Sequence, residues 1–323
     1  MKVNRLKFAS LSFWLCCLCG AAFSQNSQPL SALRTALRAG DVAEVKTLLR
    51  KGVELNAKEA DQLPLLLDAV LNSNAACVKA LLEQGADPNI TDRTGNTALM
   101  LAVADPAKLK LLLERGAPVN AVNGAGRSAL LLAAAQRRAL PAVKVLLSKG
   151  ARVNQQDENG YTALLWIARQ GDVETLRLLL AQGADIQARV KKGTVALENG
   201  ANALDLACSS RNVRAVKLLL EHGASVDKSG RPLINAAMDG SLDIVKLLVA
   251  QGVSANVADP LSFTALMHAT LSENASLELL KLLLERGADP QAKARDGNTA
   301  LGYAKRKGWQ AAITLLQEAG ASE

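Results

Sequence analysis

Residues 279–301 read LLKLLLERGADPQAKARDGNTAL. Leucines at helical spacing run up to Arg286, a glycine follows at 287, and a polar turn leads to Thr299-Ala300-Leu301, where a second apolar stretch begins. A glycine just past a helix takes the left-handed conformation without a Cβ penalty, so the leucine run closes there as a helix. Thr299 can accept a hydrogen bond from the free N–H groups of a first turn, so the next helix starts beside it.

The same order of events recurs along the chain. LKLLLERGAPVNAVNGAGRSAL begins at Leu109, VKVLLSKGARVNQQDENGYTAL at Val143, LRLLLAQGADIQAR at Leu176, VKLLLEHGASVD at Val216 and VKLLVAQGVSANVAD at Val245. The closing glycines are 52, 85, 116, 150, 183, 223, 252, 287 and 320, separated by 33, 31, 34, 33, 40, 29, 35 and 33 residues. A period near 33 in nine copies, filling the chain from about residue 29, is the signature of a repeat array. Thr97, Ser128, Thr162, Asn202, Thr264 and Thr299 each precede a second apolar stretch. Between the two helices of a copy lie Gly40-Asp41, Gly171-Asp172, Arg211-Asn212 and Gly240-Ser241, a tight turn with capping residues. Each copy therefore reads as helix, turn, helix and polar loop.

In length, Gly-Ala closure and Thr-x-Leu start, this unit resembles the ankyrin repeat. The resemblance implies an all-α solenoid of about nine helix-turn-helix repeats, with the polar loops projecting as β-hairpin fingers beside a face lined by the first helices. The family's Thr-Pro-Leu-His is here Thr-Ala-Leu without the histidine, so stacking is expected to lean on apolar contact. The array is expected to form one domain over 25–323, with 29–60 as N-terminal cap, 61–293 as central repeats and 294–323 as C-terminal cap. Arg34 and Arg38 at one end and Lys305-Arg306-Lys307 at the other would supply the polar outer faces that terminal repeats need.

Residues 1–24 carry Lys2, Arg5 and Lys7 before an apolar run and small residues at 22–24. That layout reads as a secretory signal cut after Ser24, giving a periplasmic or secreted protein; an uncleaved anchor and a lipidated cysteine are the competing forms. Three of the excess positive charges sit in this segment, so the net charge of +8 falls to +5 without it. Basic and acidic residues are mixed, and aromatics are only 3%, which lacks the footprint of a nucleic-acid binder. Cys77 and Cys208 stand four repeats apart, too far to pair within a chain, and occupy apolar helix slots. Two histidines, His222 and His268, have no partners at ligand or triad spacing, so neither a metal, a cofactor nor an active site is read. Residues 124–129, GAGRSA, match a dinucleotide fingerprint in form but occupy a finger rather than a strand-to-helix turn.

Protein interaction is what remains. The residue before each capping Thr, the finger tip and the end of the first helix are not required for stacking. Arg127, Tyr161 and Phe263 fill the first of these slots, and Tyr and Arg are enriched among interface hot spots. Arg169, Gln170 and Met238 extend the same face, whereas Trp166 sits one slot further inside. The 40-residue interval contains an insertion of about seven residues at 189–200, an enlarged hairpin with Lys191 and Lys192 near its tip. The 29-residue interval is too short for a full finger and should leave a notch beside it. The expected function is a monomeric, non-enzymatic scaffold that binds a protein partner. An inhibitor or immunity protein against an exported enzyme is the narrower alternative, and a small-molecule binder or enzyme the different-class rival.

Overall fold

The computed structural model describes residues 27–56, 62–192, 199–226 and 230–322. The signal segment expected at 1–24 lies outside the described residues, as do residues 193–198 of the inserted hairpin.

Eighteen helices occur among the described residues, two per copy of the repeat. In chain order they are α1 Ser27–Ala39, α2 Val42–Leu49, α3 Leu65–Asn72, α4 Ala75–Glu83, α5 Ala98–Leu101, α6 Pro106–Glu114, α7 Ala129–Ala134, α8 Leu140–Ser148 and α9 Ala163–Gln170. They continue as α10 Val173–Ala181, α11 Ala203–Ser209, α12 Val213–Glu221, α13 Arg231–Met238, α14 Leu242–Ala250, α15 Ala265–Leu271, α16 Leu277–Glu285, α17 Ala300–Lys307 and α18 Gln310–Glu318. Their contacts group into two compact units, Met1–Ala129 with Ser148–Ala151, and Leu130–Leu147 with Arg152–Glu323. In the first, α1, α3 and α5 pack in succession, as do α2, α4 and α6. In the second, the odd-numbered helices from α9 to α17 stack in one row and the even-numbered ones from α10 to α18 in another.

The opening stretch behaves as its residues require. Leu279, Leu280 and Leu283 of α16 are fully buried, while Lys281 and Glu285 face water. At its end Gly287 takes φ +84°, which lets the Gly287 and Ala288 amides donate to the Leu284 and Leu283 carbonyls. Thr299 then accepts from the Gly302 N–H at 3.2 Å to open α17. Thr97, Thr162, Asn202 and Thr264 open their helices in the same way, and Asp41, Asn74, Asp105, Asp172, Asn212 and Ser276 cap second helices. Each such cap stabilises its helix by about 1 kcal/mol. Ser241 makes no side-chain cap bond.

The fingers are shorter in sheet content than hairpins would be. Isolated antiparallel bridges join Thr91 to Thr97, Val122 to Ser128 and Ala258 to Thr264, with no longer strand among the described residues. Asp92, Asp157 and Asp259 explain the economy. Their amides donate to the carbonyl four residues on, and their carboxylates accept the returning N–H, so the loop closes on itself within five residues. Neighbouring fingers are tied tip to tip: Gly124 N–H donates to Thr94 O at 2.9 Å, Lys191 to Asn159 O at 2.8 Å and Arg295 to Leu261 O at 3.1 Å.

A second set of ties replaces the missing histidines. Asn56 Nδ2 donates to Gly85 O at 3.2 Å, Asn120 to Gly150 O at 3.0 Å, Asn154 to Gly183 O at 3.1 Å and Asn256 to Gly287 O at 2.7 Å. Gln187 and Gln291 reach Gly223 O and Gly320 O with their longer side chains. Asn56, Asn154 and Asn256 also accept from the N–H two residues beyond the glycine. The inter-repeat contact is thus polar along this flank as well as apolar inside, which the missing histidine had argued against.

At the N-terminal end, Arg34 is only 9% exposed and turns inward, donating to Asp68 Oδ2 at 3.1 Å, with Arg38 adding 3.2 Å to the same oxygen. Arg34 is therefore not part of a solvated cap, as its position had suggested; the buried Asp68 carboxylate draws it in. Arg38 and, at the other end, Lys305, Arg306 and Lys307 are exposed.

Candidate functional site

Equivalent positions in the last turn of the first helices α9, α11, α13, α15 and α17 hold Arg169, Ser209, Met238, Leu271 and Arg306. Met238 is 45% exposed and Leu271 42%, on the adjacent helices α13 and α15. One turn earlier on the same faces stand Trp166, Asn235, His268 and Tyr303. Finger residues border this row.

Tyr161 corrects the sequence reading, because its side chain is fully buried rather than outward. Its N–H donates to Asp157 Oδ1 at 2.9 Å and its carbonyl accepts from Asp157 N at 3.1 Å. That turn pins Tyr161 at the finger base, and the ring lies on Trp166 with centroids 4.6 Å apart and planes 24° from parallel. Arg169 covers Trp166 with its guanidinium 5.7 Å from the ring centroid, so Trp166 and Arg169, both half-buried, are what this repeat presents. Gln170 is exposed, yet its Nε2 donates to Ala134 O at 2.8 Å and closes the end of α7. Lys307 does the same for α15, its ammonium reaching the Thr270, Leu271 and Ser272 carbonyls.

Phe263 is half-buried within an aromatic cluster, 5.2 Å from the Tyr303 ring and 5.4 Å from His268. His268 Nε2 lies 3.1 Å from Asp259 Oδ2. Burial opposes ionisation of Asp259, but the Phe263 amide, the His268 ring and the Leu261 amide together hold its carboxyl below the usual range. Lys191 and Lys192 are exposed, with their amides on Asn159 O at 2.8 and 3.1 Å. Arg127 belongs to the first unit, where it is half-buried at the base of its own finger, its N–H on Asn123 Oδ1 at 3.0 Å.

The sequence reading missed Leu261, 56% exposed at a finger tip, and Leu271. Leu271 was findable, since it shares the register of Arg169 and Met238. The first unit has its own exposed apolar residues, Leu71 at 51% and Val122 at 47%. The fingerprint-like stretch at 124–129 is a finger turn, with Gly126 N–H donating to Asn123 O. Cys77 and Cys208 are buried free thiols, and no cluster of metal-ligating residues occurs among the described residues. No described helix is long and apolar enough to cross a membrane.

Tyr303 provides a titration marker for this face. Burial, then its 2.7 Å hydrogen bond to Asp296 Oδ2 and that carboxylate's charge, push its pKa up to about 12. A raised folded-state value means that stability is fully present below the unfolded tyrosine value near 10 and falls as pH climbs from there to about 12. Absorbance titration of wild type against Tyr303→Phe is expected to place one phenolate near 12; a difference centred at 10 would show that the Asp296 contact is not made.

A sequence model of the family described as Ankyrin repeats (3 copies) matches residues 7–92, 66–157, 130–230 and 233–322. The chain is 35% identical over 112 residues to a putative ankyrin repeat protein of Rickettsia felis, covering 34% of this chain and 29% of that one. It is 37% identical over 124 residues to the B-cell lymphoma 3 protein homolog of Mus musculus, 36% of this chain and 27% of that one. With the putative ankyrin repeat protein YahD of Escherichia coli it shares 25% identity over 195 residues, 48% of this chain and 94% of that protein. The chain thus spans under a third of the first two relatives.

Proposed function

Because the chain belongs to the ankyrin-repeat family, whose repeats generally mediate protein–protein interaction, we propose that it is an exported binding scaffold that docks a protein partner on the first-helix ends of its second unit. The observation that carries this is the pair Met238 and Leu271. Large apolar side chains left nearly half in water side by side on adjacent helices form an exposed apolar patch, the kind of feature that marks interaction surfaces. Trp166 beneath Arg169 and Phe263 beside Tyr303 flank the pair with the residue types that dominate interface energetics. Export rests on the basic-then-apolar layout of residues 1–24.

Affinity capture from the cell envelope of the source organism tests the reading. Wild type is expected to retain a specific protein that a Met238→Glu, Leu271→Glu double variant loses by tenfold or more, with unchanged circular dichroism. An identical set of captured proteins for both would remove the proposed face. Fractionation of the full-length chain tests export, and recovery in the cytosol would remove that part.

A further inference from the structure

The turn that leaves a first helix passes through a left-handed residue. In the fifth, seventh and ninth repeats that residue is glycine: Gly171, Gly240 and Gly308, with φ +72°, +73° and +72°. The sixth repeat puts Arg211 there instead, at φ +55°. A residue with a Cβ disfavours this conformation, so glycine would suit the turn better. Among the described residues only Arg138, Arg211 and Ser262 combine a positive φ with a side chain, and Arg138 lies in the corresponding turn of the fourth repeat. Strain of this kind clusters where side chains serve binding.

Bonds to the neighbouring repeats place cations on both sides of the exposed apolar pair. Arg211 Nη2 donates to Asp239 Oδ1 at 2.8 Å, while the arginine side chain stays 52% exposed. Asp239 follows Met238 in the chain, so this bond sets the guanidinium beside the methionine. It engages one edge of a group that has five N–H donors. Beyond Leu271, the Lys307 ammonium reaches the Thr270 and Leu271 carbonyls at 3.2 and 3.3 Å, partners that leave its charge in place. Arg306, in register with Met238 and Leu271, is exposed as well.

The charge of the whole rim agrees. In the six first-helix turns of the second unit, residues 134–138, 168–172, 208–212, 237–241, 270–274 and 305–309, seven Lys and Arg stand against three Asp and Glu. Asp172 caps α10 and Asp239 holds Arg211, so two of the three acids are already engaged. The matching turns of the first unit, 37–41, 70–74 and 101–105, hold Arg38 against Asp41 and Asp105. The rim of the second unit thus carries a net +4, most of the +5 found beyond residue 24.

Resting on the protein-binding reading above, we infer that the partner segment docked over Met238 and Leu271 is acidic, and that Arg211 is one of its contacts, kept in a strained turn for that reason. Carboxylates of the segment meet Arg211 on one side and Arg306 on the other, and its apolar centre sits on Met238 and Leu271. Such capture is salt-sensitive. A nucleic acid would satisfy the cations but leave the methionine and leucine in water.

Selection of a phage-displayed random dodecapeptide library on the full chain tests this. Enriched peptides are expected to combine Asp or Glu with Leu, Ile or Phe. A synthetic copy of the most enriched peptide should bind about tenfold more weakly to Arg211→Gly and, separately, to Leu271→Ser. Because glycine relieves the turn, Arg211→Gly is expected to unfold at the wild-type midpoint or above it, which separates lost contact from lost folding. Enrichment of basic or uncharged peptides, no enrichment, or binding indifferent to either variant overturns the proposal. A lowered midpoint with unchanged binding would assign Arg211 to the fold alone and overturn it too. So would retention of phosphatidylglycerol vesicles or single-stranded DNA through Arg211 when no acidic peptide is selected. An envelope protein whose capture needs Met238 and Leu271 but not Arg211 would leave the protein-binding reading standing while removing the acidic occupant.

Discussion

Tyr161→Ala lowers the unfolding free energy of the second unit by about 3–5 kcal/mol, the usual cost of truncating a fully buried aromatic ring. The ring has no exposed surface, and its removal takes away both the apolar burial and the stack on Trp166 at 4.6 Å. The offset-stacked geometry itself contributes about 0.5–1.5 kcal/mol of this. Trp166 would then lose its inner support, so Arg169 should lose its fixed position above the indole. Urea unfolding followed by tryptophan fluorescence measures the first effect and the red shift of the Trp166 emission the second. A midpoint equal to wild type would put the ring in water, where the sequence pattern placed it.

Gly240→Ala is the second large effect, about 2–5 kcal/mol. Gly240 joins α13 to α14 with φ +73°, a conformation that costs a residue with a Cβ about 1–2 kcal/mol. A Cβ there would also fall 2.6 Å from the Asn274 carbonyl carbon, 2.7 Å from its oxygen and 2.8 Å from the Ala275 nitrogen. Those are backbone atoms of the next repeat, which cannot swing aside as a side chain would, and overpacking of this kind adds about 1–3 kcal/mol. Gly252→Ala separates the two contributions, since φ is +81° there but nothing lies within 4 Å of the added carbon. Equal losses in the two variants would mean that the approach of the seventh repeat to the eighth is looser than 2.6 Å.

How far the sequence could be read depended on how local each cause was. The ends of α16 and α17 were legible because Gly287 and Thr299 act through their own backbone and the first turn beside them. Tyr161 was not, because its burial is decided by Asp157 pinning the loop and by Trp166 five residues later offering a flat surface. The Asn and Gln ties were hidden for a similar reason: Asn154 looks like an ordinary loop polar residue until Gly183 is brought alongside it. Arg34 reads as a solvated cap until the buried Asp68 is known. Of the candidate face, Met238, Leu271 and Phe263 could be placed from register alone. Leu261 needed exposure, which depends on the neighbouring repeats.

The two buried thiols divide neatly, Cys77 in the first unit and Cys208 in the second, each with no exposed surface. Desolvation by burial, with the Asp205 charge beside it, raises the Cys208 pKa, so the folded thiol is not a nucleophile at neutral pH. A maleimide or disulfide reagent can therefore alkylate either position only after the surrounding helices part. Peptide mapping, which separates these two from Cys16, Cys17 and Cys19, would turn the pair into built-in clocks, timing how often each half of the chain breathes open without any label having been engineered into it.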